Sequence, residues 1–250
     1  MINLLIYYAK KVMLLINKKN KANEIYPYRF HLFQELIQKY GESYFKDKRF
    51  LEIGPKDGDD TQRLMSLKPS KYFLFDLPDK STENEKWKDN LGSNQKLIIK
   101  NFLYLSQEEY DNLGYFDLIY FTGVLYHNPE QLRFIKKLYD KLNNGGILVL
   151  ESATIRNYFY RNKNLVQIWY PDTYRNTTTM SHLPSKKAIK SWLQMVGFEK
   201  IYDSKCYDKE NYNVRDLRYA CIAEKQSGDK VETYYKKQIE DSDYFIGGST

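Results

Sequence analysis

The segment Arg49-Phe50-Leu51-Glu52-Ile53-Gly54-Pro55-Lys56-Asp57-Gly58 brings one acid and two glycines to the end of an apolar run. Glycine at 54 and 58 lets the backbone turn tightly after a strand and leaves room for a ligand against the main chain. The dinucleotide spacing GxGxxG is not met, and no P-loop Lys-Ser/Thr follows, so the loop is not built to cradle a pyrophosphate or a triphosphate. Glu52, two residues before Gly54, suits a cationic ligand better than a phosphate. The other side chains able to do chemistry are few. There are three histidines (His31, His127 and His182) and two cysteines (Cys206 and Cys221), with no CxxC and no Cys/His cluster at metal spacing. No metal centre is expected from that set, and at most one disulfide.

The elements that must position these residues alternate. Strands are expected at Phe50 to Ile53, Tyr72 to Phe75, Lys96 to Ile99, Phe116 to Phe121 and Ile147 to Leu150. Helices are expected after Gly58, near Glu83 to Asn90, near Gln107 and from Pro129 to Leu142. That order means βαβ units and a parallel sheet covered on both faces. Residues 151 to 180 show no clear periodicity and are rich in Tyr, Asn and Thr, with Tyr158, Tyr160, Trp169, Tyr170 and Tyr174 among them. An excursion of that length in a compact domain is usually a binding loop or lid. A helix from Ser185 to Val196 and strands near Lys200 to Tyr202 and Leu217 to Ala223 complete the sheet. Upstream, Pro27 to Lys39 reads as a helix, and Ile2, Leu5, Ile6, Ala9, Met13 and Ile16 fall on one face of another.

The stretch Glu52-Ile53-Gly54-Pro55-Lys56-Asp57-Gly58 resembles the first motif of class I S-adenosylmethionine-dependent methyltransferases, and Asp76 follows at the end of the next strand. The segment Gly123-Val124-Leu125-Tyr126-His127 closely resembles that of the tRNA wobble-uridine carboxymethyltransferases and their methyltransferase relatives. The likeness continues through Leu132 to Leu142, Asn144-Gly145-Gly146-Ile147-Leu148-Val149-Leu150-Glu151, Leu183-Pro184-Ser185, Trp192-Leu193 and Gly197-Phe198. It implies a Rossmann-like, doubly wound α/β fold with a seven-stranded, mostly parallel sheet, an N-terminal helical extension and a lid after the fifth strand. It also implies S-adenosyl-L-methionine as cofactor, bound by Glu52, Gly54, Pro55, Asp57, Gly58, Asp76, Asn101, Thr122 and Gly123. Asp76 would accept the ribose hydroxyls, by the logic of the acid in nucleotide-binding βαβ units. Asn101 would meet the adenine amine.

His127 follows the fourth strand at the carboxyl edge of the sheet and so should face the transferred methyl. A histidine there can take a proton from an attacking hydroxyl near neutral pH, or else it caps the helix beginning at Pro129. Tyr126 either positions the acceptor or packs. Tyr170, Arg175 and His182 are the expected acceptor contacts, because aromatic faces stack on sugars and polar groups hydrogen-bond to them. One departure bears on the cofactor. The carboxymethyltransferases grip an extra carboxylate with an arginine before their Pro-Ser element, where this chain has Thr178, with Arg175 three residues away. Losing a charge-assisted contact of roughly 1.5 to 3 kcal/mol favours ordinary S-adenosylmethionine. The residues before Arg49 are also too few for the N-terminal domain that helps those enzymes hold tRNA.

Composition narrows the class. With 250 residues, 42% hydrophobic, and 24 tyrosines and 13 phenylalanines, the chain can bury a core and is not intrinsically disordered. Its net charge is +7, and residues 1 to 50 hold ten Lys/Arg against four acids, a difference of six. That basic arm either touches a phosphate-rich or anionic-lipid surface or is a solvated leader. Residues 2 to 16 are broken by Lys10 and Lys11, too short and charged to span a bilayer, so they pack on the body, on a second subunit of a homo-oligomer, or lie on a membrane. No secretory signal is expected, and a cytoplasmic, reducing location follows. The expected organisation is a basic extension over 1–45, a methyltransferase domain over 46–225 with its lid at 152–182, and a tail over 226–250. The function expected is methyl transfer to an oxygen of a small-molecule or carbohydrate acceptor, possibly in surface-glycan biosynthesis. A nucleic-acid partner with tRNA modification, or a non-catalytic cofactor-binding role, stands as the alternative.

Overall fold

The computed structural model describes residues 27–80, 84–85, 87–155, 157, 159–171, 179–205 and 218–226. The amphipathic stretch at 2–16, Tyr158, Tyr174, Arg175, Cys206 and the expected tail helix near 231–239 lie outside these residues.

Two helices, α1 (Pro27–Tyr40) and α2 (Glu42–Phe45), precede β1 (Arg49–Ile53), α3 (Asp59–Met65), β2 (Lys71–Asp76) and β3 (Gln95–Ile99). Next come α4 (Gln107–Asn112), β4 (Phe116–Thr122), α5 (Gln131–Asp140) and β5 (Leu142–Ala153). The chain continues through β6 (Val166–Trp169), β7 (Ser181–Pro184), α6 (Lys186–Val196), β8 (Lys200–Asp203) and β9 (Arg218–Glu224). The main sheet has seven strands in the order β3-β2-β1-β4-β5-β9-β8. β1 to β5 run parallel, while β9 pairs antiparallel with both β5 and β8. The order reverses between β1 and β4, and the crevice outside the carboxyl ends of those two strands is where such sheets bind ligands.

Strand period dictates which layer each residue joins. Leu51, Ile53, Ile119, Phe121, Leu148 and Leu150 pack with α5 and α6 on one face. Phe50, Leu118, Tyr120, Ile147 and Val149 pack with Leu32 and Leu36 of α1, Phe45 of α2 and Leu64 of α3 on the other. Both faces are apolar because both are covered. The pattern on α5 fits the same demand, since Gln131, Phe134, Ile135 and Leu138 are its buried residues, spaced three, four and seven apart. Helix α1 lies along the sheet, with Tyr40 donating to Glu224 Oε1 at 2.5 Å near one end and Arg29 reaching Asp60 near the other.

Two expectations change in detail. The stretch from Glu83 to Asn90, read as a helix, is helical at Asn84 and closes in a 3-10 turn at Lys88–Asn90, part of it lying outside the described residues. There Trp87 is drawn down to the main chain of Lys56, its Nε1 donating to the carbonyl at 2.8 Å. The excursion after β5 contains β6, which pairs antiparallel with β7 as a separate two-stranded sheet. Among the described residues, no helix is long and apolar enough to cross a membrane.

Candidate active site

The loop between β1 and α3 is fixed by backbone conformation. Gly54 has φ +76°, its N–H donates to Phe75 O at 2.8 Å, and a Cβ there would overlap Val124 Cγ2. Gly58 has φ +78°, and a Cβ on it would stand 2.6 Å from Trp87 Cγ. Only glycine meets both demands at either position. Pro55 is buried and its carbonyl accepts from Gly58 N at 2.9 Å, which closes the turn. Asp57 stands exposed on the rim, with Oδ1 accepting weakly from Asp59 N at 3.4 Å.

Asp76 ends β2 beside this loop. Its Oδ2 accepts from Lys56 N at 3.0 Å and its Oδ1 from Leu77 N at 2.9 Å, so one carboxylate ties the loop to the neighbouring strand. Burial raises its pKa above the ordinary value, and the two backbone donors and Asn84 work against that rise. Asn84 is buried beside the carboxylate, and neither of its amide atoms has a hydrogen-bond partner. A polar, buried and unsatisfied corner beside a strand-end acid calls for a ligand that donates and accepts.

Glu52 shares the parity of Phe50 and therefore faces the α1 and α3 layer beneath the loop. It accepts from Thr61 Oγ1 at 2.7 Å and from the Tyr72 hydroxyl. Burial, followed by the charge of Asp60, raises its pKa to about 8. Asp60, in the first turn of α3 and 3% exposed, accepts from Arg29 Nη1 at 3.4 Å, Arg63 Nη1 at 2.8 Å and Thr122 Oγ1 at 3.2 Å. Thr122 thus turns its hydroxyl under the loop. Gly123, with φ +75°, has the Arg29 guanidinium where a Cβ would be. Beyond it, buried Arg218 pairs through Nε and Nη2 with both oxygens of Glu151, the second at 2.8 Å, and its guanidinium lies 5.5 Å from the Tyr126 ring centre. Motif reading missed Arg29, Asp60, Asn84 and Arg218. Of these, only Asp60 carried a signal, as an acid in the first turn of the helix that follows the glycine loop.

Beyond the carboxyl end of β4, Tyr126 and His127 occupy a 3-10 turn, Leu125–His127, with ring centres 4.0 Å apart. His127 is exposed and does not cap α5, whose N-cap is Glu130 with Asn128 Oδ1 accepting from Glu130 N at 2.7 Å. Asn101 caps the turn Phe102–Tyr104, its Oδ1 accepting from Leu103 N at 3.0 Å. The remaining Nδ2 donor suits a ring nitrogen better than an amine. β7 packs beside the Tyr126 turn, and Tyr126 and Trp169 both pack on Ala153, Ile155 and Leu183. In the same register Ser181 pairs with Trp169, and its hydroxyl is buried with no hydrogen-bond partner. His182 faces the opposite side of β7, where its Nδ1 is buried without a partner and its carbonyl accepts from Gln131 Nε2 at 2.6 Å. Tyr170 is 67% exposed just past β6. No group of three His, Cys, Asp or Glu that could hold a metal occurs among the described residues.

A glycine loop at the switch point, a strand-end acid and an antiparallel last pair of strands define a class I methyltransferase domain, the S-adenosylmethionine-dependent kind. The family model described as "Methyltransferase domain" matches residues 27–202, and the chain belongs to that family. The chain is 29% identical over 168 residues to a tRNA U34 carboxymethyltransferase of Vibrio parahaemolyticus, covering 64% of this chain and 47% of that one. It thus spans about half the length of such relatives, an enzyme of the same name from Haemophilus ducreyi being covered to 51%. Among solved structures, the N-terminal domain of EvdMO1, crystallised in the presence of SAH and D-fucose, matches with TM-score 0.60 at 15% identity, covering 78% of this chain and 83% of that one. A methyltransferase from Clostridium acetobutylicum matches with TM-score 0.57 at 14% identity, covering 88% and 99%.

The residues present fit S-adenosylmethionine. The loop at Gly54 and Gly58 offers bare main chain, and Asp76 keeps a second lone pair on each oxygen for a ribose diol. Asn84 offers a donor and an acceptor in the same corner.

Proposed function

We propose that the protein transfers the methyl group of S-adenosylmethionine to a hydroxyl oxygen of a small-molecule or carbohydrate acceptor, in the making of a surface glycan or a comparable product. The observation that carries this reading is the unsatisfied Ser181 hydroxyl, paired in register with Trp169 on the strand that packs beside the Tyr126–His127 turn. A buried hydroxyl among aromatic faces is how proteins hold a sugar. The EvdMO1 domain, crystallised with a sugar present, lends support at the level of a shared fold.

The cofactor supplies an electrophilic methyl carbon on sulfur. With the cofactor held at the glycine loop and Asp76, His127 would take the proton of the acceptor hydroxyl as that oxygen accepts the methyl group. Tyr126, Trp169 and Ser181 orient the acceptor, and most of the acceleration comes from that alignment. A second reading is favoured by the Vibrio relative: the acceptor is a tRNA, tracked by the basic residues before β1. Such binding weakens steeply with salt.

The test is transfer from radiolabelled S-adenosylmethionine to panels of sugars, nucleotide sugars and total tRNA, with the wild type and His127→Gln. Labelling of a sugar or small hydroxyl compound, cut about 10²- to 10⁴-fold in the variant with cofactor affinity unchanged, is the expected result. Labelling of tRNA alone would replace this reading with the second.

A further inference from the structure

The two-stranded sheet of β6 and β7 stands apart from the main sheet. A pair of strands is marginal on its own, so its seat on the body depends on the contacts it makes there. Among them, Leu183 packs with Ala153 and Ile155, and Ile155 N donates to Pro184 O at 3.1 Å. A third contact comes from a side chain: Gln131 Nε2 donates to His182 O at 2.6 Å. The same nitrogen donates to Leu125 O at 3.0 Å, and Leu125 opens the turn that carries Tyr126 and His127. One amide thus joins the two elements between which an acceptor would lie.

The place of Gln131 in the chain suits that task. It is the first residue of α5 and 3% exposed, while Phe134, Ile135 and Leu138 of the same helix are buried in the core. Ahead of it, Asn128 Oδ1 accepts from Glu130 N at 2.7 Å and fixes the entry of the chain into the helix. The amide therefore stands on a rigid post. Both of its partners are carbonyl oxygens, so only the amide nitrogen can serve them, and its two hydrogens match their number. A carboxylate at this position would donate nothing, and a hydroxyl only once. On β7, Ser181 precedes His182, and its buried hydroxyl has no hydrogen-bond partner. A bond held at His182 O thus fixes the height of that hydroxyl over the His127 turn.

We propose that Gln131 is a positioning residue for methyl transfer: it locks β7 to the Tyr126–His127 turn and so sets the gap in which the acceptor hydroxyl meets the base. Its role rests on an acceptor lying between those two elements, as proposed above. The variants are Gln131→Met, of similar length with no donor, and Gln131→Glu, of the same shape with acceptors in place of donors. Hydrogen exchange of the full chain at the amides of Ser181 to Leu183, His127 and Asn128 reads the tie without turnover. Exchange there should be at least about tenfold faster in both variants, with exchange in β1 to β5 and affinity for S-adenosylhomocysteine as in the wild type. Kinetics use whichever acceptor the wild type labels. There kcat should fall about 10²-fold with KM for the cofactor unchanged, since misplacement by an ångström costs about that much. A role in stability alone would instead speed exchange throughout the sheet and leave kcat intact. Should Gln131→Glu fail to fold, Gln131→Met decides. Unchanged exchange in Gln131→Met overturns the tie, and faster local exchange with wild-type kcat overturns the positioning role, while neither result touches the acceptor reading. A wild type that labels no acceptor overturns that reading, and the positioning role with it.

Discussion

The two sides of the crevice are built on opposite principles. On the cofactor side, backbone conformation and buried charge leave almost no freedom: Gly54 and Gly58 sit at positive φ against Val124 and Trp87, and Asp76 ties loop to strand. Beneath them Glu52, Asp60, Arg29 and Arg63 form a polar layer under the apolar sheet. On the acceptor side, a two-stranded sheet leaves a serine hydroxyl unsatisfied within and apolar side chains exposed without. We propose that the first side holds the cofactor and the second the acceptor, so substitutions should act differently on the two.

The largest effect is expected where the two sides meet. Arg218→Met strands Glu151, a fully buried carboxylate, and should cost about 3–5 kcal/mol in urea unfolding, with Glu151→Gln in the same chain restoring part of it. A loss below 1 kcal/mol would mean the pair is not buried as described. Next comes Gly54→Ala, which combines a positive φ with overlap on Val124. It should lower stability by about 1–3 kcal/mol and weaken cofactor binding at least tenfold by calorimetry. If it behaved as wild type, the cofactor side would not be the rigid one.

Glu52 sharpens the contrast through pH. Its folded pKa of about 8 exceeds the ordinary 4.5, so between those values the folded state holds a proton that the unfolded state releases. Stability contributed by this group is full below about 4.5, falls as pH rises toward 8 and stays low above it. Glu52→Gln should flatten that part of the melting temperature against pH, and an unchanged slope would place the carboxylate in contact with solvent. The smallest stability change is expected for Ser181→Ala. Removing a hydroxyl that satisfies nothing should leave unfolding within about 0.5 kcal/mol of wild type while raising KM for the acceptor and not for the cofactor.

What was legible in the sequence follows the same division. The order of strands, the glycine loop and Asp76 could be read because they depend on local rules: period-two burial, positive φ, and an acid at a strand end. The polar layer could not, because Arg29 and Asp60 are 31 residues apart and Glu151 and Arg218 are 67 apart, and only the fold joins them. β6 escaped because Val166, Gln167 and Ile168 are all exposed, so no buried-and-exposed alternation marks the strand. His127 was visible as a residue, but that it does not cap α5 was not, since only the structure shows the N-cap of that helix to be Glu130, three residues further on.

The central claim is that the loop and Asp76 form the cofactor site. Calorimetric titration of the wild type and Asp76→Asn with S-adenosylmethionine and S-adenosylhomocysteine tests it most directly. The account predicts micromolar binding of both ligands to the wild type and a loss of at least tenfold in the variant, at an unchanged melting temperature. Equal binding by both proteins, or none by the wild type, would contradict it.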